Sequence, residues 1–346
     1  MGGREAPSAD TSEFTHFEKG WDATDLPMAI RPIFVFSISR SGSTLVQRVI
    51  GAHDGVSTVS EPWLLLPQLF AFRPQGVQAE YVHPLLVSAL EEFCEHLPNG
   101  RDDYRQELHD FVLRLYGKAA DPTATHFLDK TPPYCLISEE IMQLFPEGRF
   151  VFLWRNPLSV IASTIQTFEP WHPTMSRSDL FIGLPRLVDA YRANRDRAHA
   201  ACFEQLTSGE TEPWREMIAH LDLEFEPDAL ERFSEVKLGG RMGDPTGVER
   251  YVALSSEPNE KWKTVLANPL RVEWCRRYLR FLGDDRLAVM GYDGNQLRAD
   301  LDALPVGTEA LLGDVRRMIR DVVREPVRVR IRRHGIEGPN LIRLLL

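Results

Sequence analysis

Two cations, Arg40 and Arg155, each sit just past an apolar run and beside small or turn-forming residues, a setting in which a cation grips an oxyanion. Arg40 lies in residues 39–44, SRSGST, where one glycine and four hydroxyl residues let the backbone close around a bound anion. The bulky run from Ile33 to Phe36 before it suits a strand buried on both faces. Leu45, Val46, Val49 and Ile50 after it recur as on one side of a helix. Together they predict a strand–loop–helix phosphate cradle. A helix starting near Ser43 aims its amide N–H groups and the positive end of its dipole at whatever Arg40, Ser41, Gly42, Ser43 and Thr44 enclose.

The nucleoside-triphosphate loop GxxxxGK[ST] is not matched. No glycine stands five places before Gly42, and Ser43 occupies the position of the lysine. Arg40 is the loop's only cation, and a planar guanidinium suits two-point binding to phosphate or sulfate. Read alone, the segment also fits an ordinary strand–turn–helix with a surface arginine.

The second informative stretch is 126–168. It predicts a short strand at 126–129, a helix at 134–145, an apolar strand at 149–154 and a helix from Pro157, whose ring suits a first turn. Arg155 then stands at the carboxyl end of a strand, where ligands collect in open α/β sheets. Ser163, eight residues on, could turn toward the same pocket. The structural alternatives are an ion-pair role for Arg155, simple packing for Ser163 and a solvated strand-end position for Lys130. Asp129 reads as a residue that orients Lys130 or caps a turn.

SRSGST at 39–44, LDKTP at 128–132 and RNPLSVIAS at 155–163 resemble the signature of sulfotransferases that use 3′-phosphoadenylyl sulfate. The match runs from Arg31 to about Phe168 and, more weakly, to Tyr292. It is nearest the branch of tyrosylprotein sulfotransferases and bacterial carbohydrate or small-molecule sulfotransferases. The resemblance implies a P-loop-type parallel β-sheet flanked by helices, with helical insertions. It implies that the first loop holds the 5′-phosphosulfate and that Arg155 and Ser163 hold the 3′-phosphate. Glu61, in EPW, and Lys130, in DKTP, match that branch's glutamate and lysine.

Sulfuryl transfer builds negative charge on oxygens, which fixed cations and N–H donors stabilise with no metal required. Arg40 and Lys130 could supply that charge. Glu61, after a second strand at 56–60, is the expected general base, against a reading as a loop carboxylate. His53 is the rival base, though its place at the end of the first helix suits a helix-terminal role.

The 346 residues, 43% hydrophobic, can bury a sizeable core. The expected division is an N-terminal extension at 1–30, one α/β domain at 31–304 with a helical insertion near 62–121, and an arginine-rich extension at 305–346. The run LLLPQLFAF at 64–72 reads as core packing, and 179–198 as a long helix with Pro185 as the expected site of a kink. A strand is expected at 199–206, where CFEQL replaces the RYEDL-like sequence of many sulfotransferases, and a last strand at 286–292. Residues 237–262 read as a long loop, and in sulfotransferases a comparable loop closes over the cofactor. Arg241, Arg250, Tyr251, Ser255 and Lys261 are its candidates for contact.

The net charge of −10 fits an enzyme that concentrates its cations locally. The tail carries nine arginines against five acids, and its PVRVRIRR could pair as an edge strand, bind a polyanion or mediate self-association into a homo-oligomer. Four cysteines without metal spacing argue against zinc and disulfides. The polar start and the lack of a long apolar stretch predict a soluble, cytoplasmic enzyme of bacterial type, with no membrane span and no nucleic-acid partner. The expected reaction moves a sulfuryl group to a hydroxyl or amine of a carbohydrate, lipid or small molecule. The alternatives are a nucleotide-dependent phosphotransferase on the same architecture and a silent nucleotide-binding module.

Overall fold

The computed structural model describes residues 30–168, 170–238 and 254–331, the last ten of these as backbone only. Five strands form one parallel sheet: β1 (Arg31–Phe36), β2 (Val56–Thr58), β3 (His126–Asp129), β4 (Arg149–Trp154) and β5 (Ala198–Cys202). Their spatial order is β2-β3-β1-β4-β5. Arg31 lies opposite His126 on one side, and Ile33 opposite Arg149 on the other.

Alternation along the strands sorts side chains into two cores. Phe34, Phe36, Phe150, Phe152 and Trp154 point to one face, and Ile33, Val35, Val151 and Leu153 to the other. The aromatic face stacks across strands, with ring centroids of Phe34 and Phe150 5.9 Å apart. It is covered by α4 (Arg101–Ala119), α5 (Ser138–Leu144), α6 (Pro157–Thr167) and α7 (Leu184–Ala193). The aliphatic face is covered by α1 (Ser43–Ile50) and by the helix Glu212–His220. This is the flanked parallel α/β sheet that the resemblance implies. The chain winds to one side of β1 for β2 and β3, then to the other for β4 and β5. The reversal leaves a crevice at the carboxyl ends of β1 and β4, where Arg40 and Arg155 follow.

The insertion between β2 and β3 is helical, with α2 (Leu65–Phe70), α3 (His83–Glu95) and α4. The helix expected at 134–145 is instead a 3₁₀ turn at Pro132–Leu136 followed by α5. The segment 179–198 divides into a π-helical turn at Ser178–Gly183 and α7, with Pro185 in α7's first turn.

One strand expectation near the end of the chain is corrected, and the edge-strand alternative for the tail is removed. Residues 286–292 fall largely in a helix, Asp284–Val289, announced by Gly283 at φ 77° and by two acids in the first turn. Its buried Leu287 and Met290 are three apart, which is helical spacing. The tail's VRVRI likewise belongs to a helix, Leu311–Ile331, and forms no edge strand. That helix docks through Asp314, fully buried, whose Oδ2 accepts from Arg271 Nε at 2.7 Å, and through Arg317, which donates to the Trp171 carbonyl at 3.0 Å. The strand expected at 199–206 ends at Cys202, and a one-turn helix, Phe203–Leu206, follows. There the Phe203 and Leu206 carbonyls accept from the Thr207 hydroxyl at 2.9 Å and the Trp214 indole at 2.8 Å, so no strand ladder is needed. Among the described residues no helix is long and apolar enough to cross a membrane.

Candidate active site

The turn after β1 is tight because two of its residues, Arg40 at φ 67° and Gly42 at φ 90°, are left-handed. Gly42 is the N-cap of α1 and has no side chain to cap the helix. The first-turn N–H groups therefore face the crevice end, as an anion cradle requires. Ser41 and Ser43 are buried and Thr44 is half-buried in the same turn. From the opposite wall Asp179 Oδ2 accepts from the Ser39 N–H at 3.2 Å, which tethers the cradle to the π-helical turn.

Arg155 comes to the same turn from β4. Its Nη1 donates to the Arg40 carbonyl at 2.9 Å and its Nη2 to the Pro258 carbonyl at 3.1 Å. Its guanidinium lies over the Phe203 ring, 4.5 Å from the centroid. Asn156 caps α6 by accepting from the Leu158 N–H at 2.9 Å, and Pro157 takes the first turn. Along α6, Ser163 turns back to the crevice, where its hydroxyl accepts from Arg40 Nε at 3.1 Å. Arg40, Ser163 and Arg155 thus share one site.

The third cation arrives from β3. Lys130 is 1% exposed, so it is no solvated strand-end lysine, and its Nζ donates to Glu61 Oε1 at 2.8 Å. Glu61's other oxygen, Oε2, accepts from the Trp63 indole N–H at 3.3 Å. Trp63 has φ 57°, a left-handed backbone that costs a bulky residue about 1–3 kcal/mol. Beneath the pair, the fully buried Asp129 accepts from the hydroxyls of Tyr116 at 2.6 Å, Tyr134 at 3.0 Å and Thr131 at 3.0 Å. The Tyr134 oxygen also accepts from the Leu65 N–H at 3.2 Å, which ties the start of α2 to the end of β3.

Burial pushes the Asp129 carboxyl up from 3.8 to about 6, although its hydroxyl donors and Lys130 pull it down. A raised folded-state value means that its stabilising contribution is full below pH 3.8 and is lost as pH rises through about 6. Asp129→Asn does not titrate there. In urea unfolding, its stability relative to wild type should rise by about 2 kcal/mol between roughly pH 4 and pH 7. A difference that stays constant with pH would contradict the shift.

Residues 32–227 match the family model described as "Sulfotransferase family". This chain belongs to the sulfotransferase family. Among its relatives, the "Nodulation protein NoeE" of Sinorhizobium fredii (strain NBRC 101917 / NGR234) is 27% identical over 304 residues, 79% of this chain and 68% of that protein. The "Putative protein-tyrosine sulfotransferase" of Caenorhabditis briggsae is 21% identical over 280 residues, 78% of this chain and 91% of that one. Among solved structures, the sulfotransferase domain from the curacin biosynthetic pathway aligns with a TM-score of 0.46 and 18% identity, over 68% of this chain and 91% of that domain. Family membership supports sulfuryl transfer as the general reaction.

Other residues of this sulfotransferase fall into place around that core. His53 lies past the far end of α1, where its Nδ1 accepts from the Gly55 N–H at 3.0 Å and its Nε2 is 3.5 Å from Glu226. An eight-residue helix, about 12 Å long, separates it from the cradle, so it is a poor base. Lys261 is half exposed and pairs with Glu257 at 3.0 Å, while the Ser255 hydroxyl accepts from the Glu257 N–H at 3.2 Å. Arg241, Arg250 and Tyr251 lie outside the described residues.

Three contributors escape the sequence reading. Gln47, fully buried, donates to Thr58 Oγ1 at 2.9 Å and to the Val59 carbonyl at 2.7 Å, fixing the end of β2 just before Glu61. Phe203 packs between Gly42 and Arg155. Glu204 accepts from the Asn156 N–H at 3.0 Å and the Tyr292 hydroxyl at 2.7 Å, bracing the turn that carries Arg155. CFEQL thus gives one answer to the missing RYEDL-like sequence: an aromatic ring and an acid remain, and they support the site.

Proposed function

We propose that this sulfotransferase carries a sulfuryl group from 3′-phosphoadenylyl sulfate to a hydroxyl of a carbohydrate, lipid or small-molecule acceptor. The observation that carries the reading is the linked chain Ser163–Arg40–Arg155, which draws both anion-binding motifs onto one crevice. A single nucleotide with phosphates at both ends needs such a pairing. The donor supplies a sulfuryl group on a phosphate leaving group. Arg40, the first-turn N–H groups and the hydroxyls of Ser41, Ser43 and Thr44 suit its 5′ end, and Arg155 with Ser163 its 3′-phosphate. Lys130 offers charge to the transferring oxygens, and Glu61 accepts the proton of the acceptor hydroxyl. The Lys130–Glu61 contact keeps that carboxylate aimed while it waits.

Isothermal titration tests the reading. Tight binding of adenosine 3′,5′-bisphosphate without Mg²⁺ is expected, and a preference for Mg-ATP would instead favour a phosphotransferase. Arg155→Ala should weaken bisphosphate binding roughly 10- to 150-fold, the worth of one charge-assisted contact. Adenosine 5′-phosphosulfate, which lacks the 3′-phosphate, should bind the variant nearly as it binds wild type. Equal losses for both nucleotides would mean that Arg155 merely props the cradle.

A further inference from the structure

Trp63 stands apart from the other described tryptophans. Trp154, Trp171, Trp214, Trp262 and Trp274 are each at most 2% exposed, whereas Trp63 is 39% exposed. Core packing therefore does not explain it, and no glycine relieves its left-handed backbone. The strain turns the indole so that its N–H meets Glu61 Oε2, on the oxygen opposite the one Lys130 holds. An ionised carboxylate has about four lone-pair positions, so two donors leave room for an acceptor hydroxyl. A hydroxyl that takes a free lone pair of Glu61 Oε2 therefore arrives beside the indole. A second exposed ring, Phe168 at 57%, stands 5.2 Å from the guanidinium of Arg40, on the cradle side.

We propose that Trp63 is the specificity residue of the acceptor site: its ring stacks on the apolar C–H face of a saccharide whose hydroxyl meets Glu61, and its N–H holds that carboxylate. The proposal rests on Glu61 being the base of the reaction above. Openness favours a saccharide over a flat aromatic alcohol. With Trp63 as a whole 39% exposed, its ring can cover one face of its partner, and a sugar keeps its other hydroxyls solvated there. A fully apolar acceptor calls for an enclosed pocket. As a positioning residue for Glu61, Trp63 should also act on turnover separately from acceptor affinity.

Tryptophan emission is titrated with neutral tetrasaccharides of the gluco, galacto, manno and N-acetylglucosamine types, and with p-cresol, all in saturating adenosine 3′,5′-bisphosphate. At least one tetrasaccharide should perturb wild-type emission, and Trp63→Phe should lack that response while binding bisphosphate as wild type does. With the responding saccharide as acceptor, Trp63→Ala should raise KM about tenfold, the equivalent of one lost stacking contact. Trp63→Phe, which keeps a ring but not the N–H, should lower kcat and change KM less. The proposal falls if no tetrasaccharide perturbs emission, if Trp63→Phe responds like wild type, or if p-cresol acts at lower concentration than every saccharide. Failure of bisphosphate binding itself would instead remove the functional reading beneath it.

Discussion

Glu61→Gln should lower kcat by about 10²–10⁴ while leaving bisphosphate affinity nearly unchanged, because in the proposed reaction Glu61 is the positioned base, which contributes on that scale, and other residues hold the nucleotide. The choice of glutamine matters. Lys130 is 1% exposed and Glu61 is its carboxylate partner, so Glu61→Ala strands a buried ammonium, typically at a cost of about 3–5 kcal/mol. An inactive alanine variant would then be ambiguous between lost chemistry and lost folding. Glutamine keeps an oxygen for Lys130 and the carboxylate's shape, gives up only the acceptor for the Trp63 N–H, and cannot take a proton at neutral pH. The measurement is single-turnover transfer of labelled sulfate, with the nucleotide titrated by calorimetry in parallel. Retained transfer would remove Glu61 from the chemistry, and a large loss of bisphosphate affinity would make it a structural residue.

How much of this site was readable in the sequence depends on how local each residue's job is. The strand–turn–helix at 31–50 was readable because its strand, its small-residue turn and its helix are contiguous, and glycine and hydroxyl residues there mark the tight turn. Arg155 was readable because a strand run ends at it and a proline starts the next helix. Phe203 was not, since its task is to fill space beside Gly42, 161 residues earlier, and nothing local marks that partner. Gln47 looked like the polar side of α1, yet it is fully buried against the backbone of β2. Trp63 carried no signal for a left-handed backbone, because that conformation normally announces itself through glycine or asparagine. The run at 286–292 was misread as a strand, and an edge strand was one of three readings open for 326–333, for a related reason. Alternation over a few residues fits a strand, while the phase that makes them helical comes from neighbours three and four positions away.

Gly42→Ala should abolish measurable bisphosphate binding and lower stability by about 2–5 kcal/mol, from an added methyl in the wrong place and a left-handed alanine. A Cβ at position 42 would lie 2.1 Å from Phe203 Cε2 and 2.2 Å from Cδ2, well inside van der Waals contact. Either the ring or the loop must move. The ring is 4% exposed, packed with Leu206 and Trp214, and it also carries the guanidinium of Arg155 at 4.5 Å, so shifting it disturbs the proposed 3′-phosphate corner as well. Moving the loop instead displaces the N–H groups that line the first. Both routes damage the proposed nucleotide site, which is why the binding loss should exceed what the φ of 90° alone would cause. Phe203→Leu added to Gly42→Ala separates the two contributions. The smaller side chain makes room for the methyl, so thermal stability should recover in part, while binding stays weak because the left-handed alanine and the vacated platform under Arg155 remain. If Gly42→Ala alone binds bisphosphate like wild type, the glycine is a bystander and the cradle closes around its anion in some other way.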